Sequence, residues 1–195
     1  MTKTNVSRRG FLGGAAGAAL ATALAVGGRD PHTTVAAADA SAATVGGPLD
    51  FPLVAYQGDD LLGGHQTTFA NVFAQSKPVV LNFWAPLCPP CKDEMPTLQR
   101  YADQYADQLI FVGVDVGTFF KLGDHANAQQ FLADNGIRYP VAYATNLAPL
   151  QQYKILALPS TAYLTATGNI LGVTGVLGMN DGQLQSVLTR LAAGM

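Results

Sequence analysis

Asn82-Phe83-Trp84-Ala85-Pro86-Leu87-Cys88-Pro89-Pro90-Cys91-Lys92-Asp93-Glu94-Met95-Pro96 is the stretch on which the reading of the fold turns. Lys77-Pro78 opens Val79 to Trp84, a β-branched and aromatic run suited to a central strand. A short loop follows, and a helix is expected to begin near Cys88. From Asp93 to Ala106, Met95, Leu98, Tyr101 or Ala102 and Tyr105 recur at helical spacing. Two cysteines three positions apart on a helix have Cα atoms roughly 5 Å apart, within the range a disulfide needs. The first helical turn also offers free backbone N–H groups and the positive end of the dipole. A thiolate at Cys88 is stabilised there, so its pKa is expected to fall below about 8.5. The thiolate is the attacking species in disulfide exchange, and Cys91 stands where it can resolve a mixed disulfide. Pro89 and Pro90 suit a first turn, whose N–H groups have no intrahelical partner anyway.

Cysteine usage supports redox chemistry over stapling. The chain has 195 residues and only these two cysteines. A bond across so few positions closes almost no loop and adds little chain-entropy stability, and a disulfide-stapled secreted domain would carry more cysteines at wider spacings. The mature histidines, His65 and His125, are too few for a four-ligand zinc site and read as surface residues. No metal or cofactor is implied. The net charge is −2, with no basic run beyond the first ten residues, which argues against a nucleic-acid partner.

Upstream, Lys3, Arg8 and Arg9 precede an apolar run from Phe11 to Val26, and small residues cluster at Ala36-Ala37-Ala38 and Ala38-Asp39-Ala40. That order is a secretory signal. Ser7-Arg8-Arg9-Gly10-Phe11-Leu12 resembles the twin-arginine export signal, with Gly13 where a Lys often stands. The sixteen apolar residues fall short of the ~20 that span a bilayer, an uncleaved signal would leave the protein membrane-tethered, and no cysteine near the cleavage region would make a lipoprotein. Residues 1–40 are therefore expected to be the signal and 41–50 a flexible linker, poor in large apolar side chains. One folded α/β domain is expected over residues 51–195.

Within that domain, Leu53 to Tyr56 is expected to pair with Gln66 to Phe69 across Gly63-Gly64, an N-terminal β extension. Leu109 to Val116 reads as a strand. Ala126 to Ala133 reads as a helix stopping at Asn135-Gly136, and Asn146 to Tyr153 as a weaker helix. Thr161 to Thr165 and Ile170 to Val176 form a hairpin about Gly168-Asn169, and Gln183 to Ala193 is a closing amphipathic helix. A parallel core finished by antiparallel strands follows from this order.

The segment Asn82 to Glu94, read as Asn-Phe-Trp-Ala, two residues, Cys-Pro-Pro-Cys, two residues, Glu, resembles the TlpA/ResA-like branch of extracytoplasmic thiol–disulfide oxidoreductases. The resemblance continues through Phe111-Val112-Gly113-Val114, Tyr139-Pro140-Val141, Tyr153, Leu158-Pro159-Ser160 and Gly168-Asn169-Ile170, covering most of residues 51–190. It implies a thioredoxin fold, a central mixed sheet flanked by helices. It implies that Pro159 is cis and packs against the cysteine pair, exposing the backbone of Leu158 to substrate. It also places a carboxylate at Glu94, while Asn82 replaces the buried Asp of cytosolic thioredoxins and cannot accept a proton. A carboxylate near the cysteines raises their pKa values and can take the proton of Cys91; the simpler role for Glu94 is to complement the helix N-terminus. Leu87 departs from the aromatic residue usual before the first cysteine, and Ser160 from the usual Thr.

The function implied is reduction of disulfides in cysteine-containing exported proteins, apocytochrome c among them, with electrons from a membrane donor. Two rivals share the fold. A copper chaperone would hold the metal with two thiolates plus a His such as His125, although such proteins usually space their cysteines by three residues. A peroxiredoxin-like antioxidant wants a Thr shortly before its nucleophile, and Pro86-Leu87-Cys88 has none. Trp84 is expected in the core, and Phe119-Phe120 is expected to add a core contact.

Overall fold

Seven strands form one sheet in the order β2-β1-β5-β4-β3-β6-β7, in a computed structural model that describes residues 49–175 and 179–194. The expected signal, and the linker up to residue 48, lie outside the described residues. Strand β3 (Val79–Trp84) is buried along its whole length between β4 (Ile110–Asp115) and β6 (Ser160–Leu164). Such a strand has both faces covered, which is why it reads as a continuous apolar run instead of an alternating one. β3 and β4 are parallel, as are β4 and β5 (Val141–Ala144), whereas β6 runs antiparallel to β3. The sheet is mixed and flanked by helices, as expected.

β1 (Pro52–Gln57) pairs antiparallel with β2 (Gln66–Thr68), the anticipated N-terminal extension. The connection differs from a plain Gly-Gly turn, since Asp59–Leu62 forms a helical turn, α1, before Gly63. Phe69 does not extend β2; it opens a 3₁₀ stretch, Phe69–Gln75, and stacks on Phe51. β1 also pairs antiparallel with β5, a strand the sequence reading does not contain. Val141-Ala-Tyr-Ala144 carries a weak strand signal of its own, and is held between β1 and β4 by pairing. At the end of β1, Gly58 has φ +82°, and a Cβ there would meet Pro140 at 2.8 Å. Glycine answers both demands.

Helix α2 (Pro89–Gln104) starts earlier than the apolar spacing alone suggests, with Cys88 as its N-cap and Pro89 and Pro90 in its first turn. It buries Cys91, Met95, Leu98 and Tyr101, the expected face, and carries Pro96 in its interior. The short turn α3 (Gly117–Phe120) follows β4. α4 (His125–Asp134) begins with a capping box, Asp124 accepting from the Asn127 N–H and Asn127 from that of Asp124. α5 (Ala148–Gln152) is short, as its weak signal suggests. β6 and β7 (Ile170–Thr174) form the hairpin, and α6 (Asp181–Ala192) closes the described chain with an Asn180–Gln183 capping box. None of the helices among the described residues is long and apolar enough to cross a membrane.

Candidate active site

Cys88 sits where β3 has ended and α2 has not yet begun. Its backbone is extended, its N–H donates to the Ala85 carbonyl at 3.2 Å, and its carbonyl accepts the Lys92 N–H at 3.1 Å. Cys88 and Cys91 are joined by a disulfide, with Cα atoms 5.3 Å apart. Cys91 is fully buried and Cys88 is 3% exposed, so the first cysteine is the one nearer solvent by a narrow margin. Leu87, directly before it, is 50% exposed.

The Leu158–Pro159 bond is cis. In the β3–β6 register Phe83 lies opposite Ser160, so Pro159 falls just past the pair, beside the end of β3 from which the cysteine loop departs. Pro159 shares a cleft of about 300 Å³ with Pro90, the residue before Cys91, and with Glu94. Both Leu158 and Pro159 are themselves buried, whereas Leu156, two residues earlier, is 90% exposed.

Glu94 follows Cys91 by three positions, which places the two on neighbouring parts of one helix face. Burial pushes its carboxyl above the usual carboxylate range, and long hydrogen bonds partly oppose that: Thr161 Oγ1 donates at 3.5 Å and Asn82 Nδ2 donates at 3.5 Å. Asn82 Nδ2 also donates to Thr161 Oγ1 at 3.0 Å, while Asn82 Oδ1 is buried without a partner. Thr161 faces Asn82 in the β3–β6 register. Sequence reasoning finds Asn82 and Glu94 and misses Thr161, which enters only through that strand pairing.

The remaining expectations divide. Trp84 is fully buried and packs on Phe131, as a core residue. Phe119 and Phe120 are partly buried against the core. His65 is largely exposed, near Asp59. His125 is not a bare surface residue: its ring lies 3.9 Å from that of Tyr143, and its Nδ1 lies 2.7 Å from the Tyr56 hydroxyl. Among the described residues no cluster of three His, Cys, Asp or Glu side chains is disposed to hold a metal ion. The buried Asp115 at the end of β4 has no counterpart in the sequence reading, which ends that strand at Val116 as an apolar run.

Known proteins of similar sequence and fold bear on this arrangement. A family model described as AhpC/TSA family matches residues 49–172, well over half of the chain. The thiol-disulfide oxidoreductase ResA of Halalkalibacterium halodurans is 30% identical over 115 residues, which are 58% of this chain and 62% of that protein. ResA of Oceanobacillus iheyensis is 32% identical over 105 residues, 54% of this chain and 53% of that one. The chain thus spans between about half and three fifths of the length of these curated relatives. Among solved structures, DsbF of MTB, described in mixed oxidized and reduced forms, aligns with a TM-score of 0.58 at 25% identity, covering 72% of this chain and 94% of that one. The mixed sheet flanked by helices agrees with these matches, and the chain belongs to the AhpC/TSA family, with the thioredoxin fold of ResA-like proteins.

Proposed function

We propose that this protein is an exported thiol–disulfide oxidoreductase that reduces disulfides of extracytoplasmic proteins through Cys88 and Cys91. The observation that carries the reading is the Cys88–Cys91 disulfide at the first turn of α2, where a thiolate gains from the positive end of the helix dipole although Pro89 and Pro90 offer it no N–H. In the reduced form the Cys88 thiolate attacks one sulfur of a partner disulfide. A Cys88–partner bond forms, the partner S–S bond breaks, and the other partner sulfur leaves as a thiolate. Cys91, deprotonated, then attacks the Cys88 sulfur, which regenerates the intramolecular disulfide and frees the second partner thiol. Two electrons pass to the partner, and this protein is oxidised.

Glu94 is assigned the proton of Cys91, three positions before it in α2. A carboxyl raised by burial is better matched to that task than an exposed one. Leu158 and Pro159 are assigned to substrate docking, since Pro159 lines the cleft that Glu94 and Pro90 share. The exposed Leu87 offers an apolar contact at the mouth.

Direction follows from the carboxylate. A negative charge beside the pair disfavours the thiolate, and a less stable thiolate makes the reduced form the better electron donor. Export rests on the Arg8-Arg9 leader. The partners are then cysteine-containing exported proteins, with apocytochrome c one candidate, and the electrons come from a membrane donor. Equilibrating the mature domain with glutathione tests the direction: a potential below about −180 mV supports a reductant, and one above it favours an oxidase or isomerase.

A further inference from the structure

A second buried carboxylate lies on the other side of β3 from Thr161. Asp115 ends β4 opposite Trp84 and is 2% exposed. Its Oδ1 accepts the Gly117 N–H at 2.7 Å, and its Oδ2 accepts the Tyr56 hydroxyl at 2.8 Å. The same phenol oxygen lies 2.7 Å from His125 Nδ1. With the phenol proton given to Asp115, the contact with His125 is a hydrogen bond in the tautomer that carries a hydrogen on Nδ1. The ionisable groups that face this cluster are Tyr56 from β1, Asp124 and His125 from the start of α4, and Tyr143 from β5. Four elements meet at Asp115 and its partners.

The clamp holds the floor of the cysteine loop. Gly117 opens α3, and the turn after it returns at Leu122, whose carbonyl accepts the Leu87 N–H at 2.9 Å. A Cβ on Gly117 would stand 2.8 Å from Pro86 Cδ, and one on Gly123 only 2.6 Å from Pro86 Cγ and 3.0 Å from Leu87 Cγ. The two segments are therefore in direct contact, glycine backbone against the rigid Pro86 ring and the Leu87 side chain. Cys88 follows Leu87 immediately. A displacement of Gly117 is passed to Pro86 and Leu87, and from there to the cysteine.

We propose that Asp115, held by Tyr56 and His125, is a positioning residue for thiol exchange. Through Gly117 and the turn to Gly123 it fixes the Pro86–Leu87 loop, and with it the placement of the Cys88 sulfur at the start of α2. The inference rests on the redox reading of Cys88 and Cys91. Because the benefit of a helix N-terminus falls off within a turn, a slackened loop costs the thiolate its stabilisation. A purely structural role for Asp115 would lower stability and leave thiol chemistry alone.

The test uses the reduced full chain and its Asp115→Asn and Tyr56→Phe variants, with Cys88 alkylation by iodoacetamide followed against pH. Asp115→Asn preserves shape but presents an amide N–H₂ to one of the two donors. Tyr56→Phe removes one donor and keeps the carboxylate, so it serves if Asp115→Asn fails to fold. Thr67→Ala, which removes a hydrogen bond to the Leu62 carbonyl at β2, the edge strand farthest from β3 in the sheet, is the control for destabilisation alone. Both test variants are expected to raise the apparent Cys88 pKa and slow alkylation at pH 7 by about threefold or more, while Thr67→Ala lowers the melting temperature without moving the profile. Profiles that overlay the wild type in a folded test variant overturn the proposal. Exchange with glutathione that survives Cys88→Ser instead ends the redox reading itself. Exchange lost in Cys88→Ser with an unmoved Asp115→Asn profile sinks only the positioning role.

Discussion

Glu94 and Asp115 are both carboxylates held above their usual range by burial, one reached from each side of β3, yet they are satisfied in opposite ways. Glu94 receives two side-chain hydrogen bonds at 3.5 Å and lines a cleft with Pro90 and Pro159. Asp115 receives a backbone N–H at 2.7 Å and a phenol at 2.8 Å, and is closed off. Loose bonds at the edge of a cleft leave a group able to gain and lose a proton without rearranging its neighbours. Short bonds to fixed donors do the reverse, since protonation would have to break geometry. On the proposed reading, the same residue chemistry is split between a group that exchanges protons and one that anchors a loop.

The largest expected effect concerns what both carboxylates serve. Cys88→Ser should abolish disulfide exchange, while Cys91→Ser should accumulate mixed disulfides with partners, resolvable on a non-reducing gel. Exchange that persists in Cys88→Ser would remove the common target and the comparison with it. Next comes Asp115→Ala, which leaves the buried Gly117 N–H without its acceptor and the Tyr56 hydroxyl with His125 alone. Denaturant unfolding should show a loss of about 2 kcal/mol, the cost of a buried unpaired donor.

Glu94→Gln should cost far less stability and should act on the thiols. Removing the charge should lower the cysteine pKa values, seen as faster alkylation at a given pH below them. An unchanged alkylation profile would leave Glu94 as a complement to the helix N-terminus. Its stability signature also has a defined sign. Because the folded-state pKa of Glu94 is raised above 4.5, the ionised group weighs against folding. Wild type therefore gains stability relative to Glu94→Gln as pH falls through the raised value towards 4.5, and loses it again as pH rises. A difference between the two that does not change across that window would contradict the burial of the charge. The smallest effect belongs to Thr67→Ala, about 1 kcal/mol for a lost hydrogen bond, with no change in exchange rate.

The two carboxylates also show what the sequence can reveal. Glu94 is legible because its place depends on local spacing: three positions after Cys91 on a helix whose start is marked by Pro89 and Pro90. Asp115 is not, because its meaning comes from Tyr56, 59 positions away, and from His125 on another helix. Alone, it looks like the polar end of an apolar strand. Strand β5 was hidden for a similar reason, since Val141-Ala-Tyr-Ala144 acquires its state from β1 and β4 on either side. The interior strand β3, helix α2, the β6–β7 hairpin and the final helix carry their own local signals, and the structure has all four. Thr161 lies between the two cases. The hairpin is local, but its alignment with Asn82 requires the antiparallel register of β6 on β3.

Pro96 gives α2 a seam. Pro89 and Pro90 stand where amide hydrogens have no helical partner, so they cost the helix nothing. Pro96 stands in the interior, where its missing N–H leaves the carbonyl of Lys92 without its usual partner. The break falls immediately after the turn that carries the cysteines, and before Leu98 and Tyr101, which fasten the rest of the helix to the core. Cooperative units in proteins end where bonds are sparse. The cysteine-bearing turn is therefore joined to Thr97–Gln104 by one backbone hydrogen bond fewer than an uninterrupted helix would have. On the proposed exchange chemistry, the two sulfurs part and rejoin at a helix end that is held by its own buried side chains, Cys91 and Met95, more than by the ladder behind it.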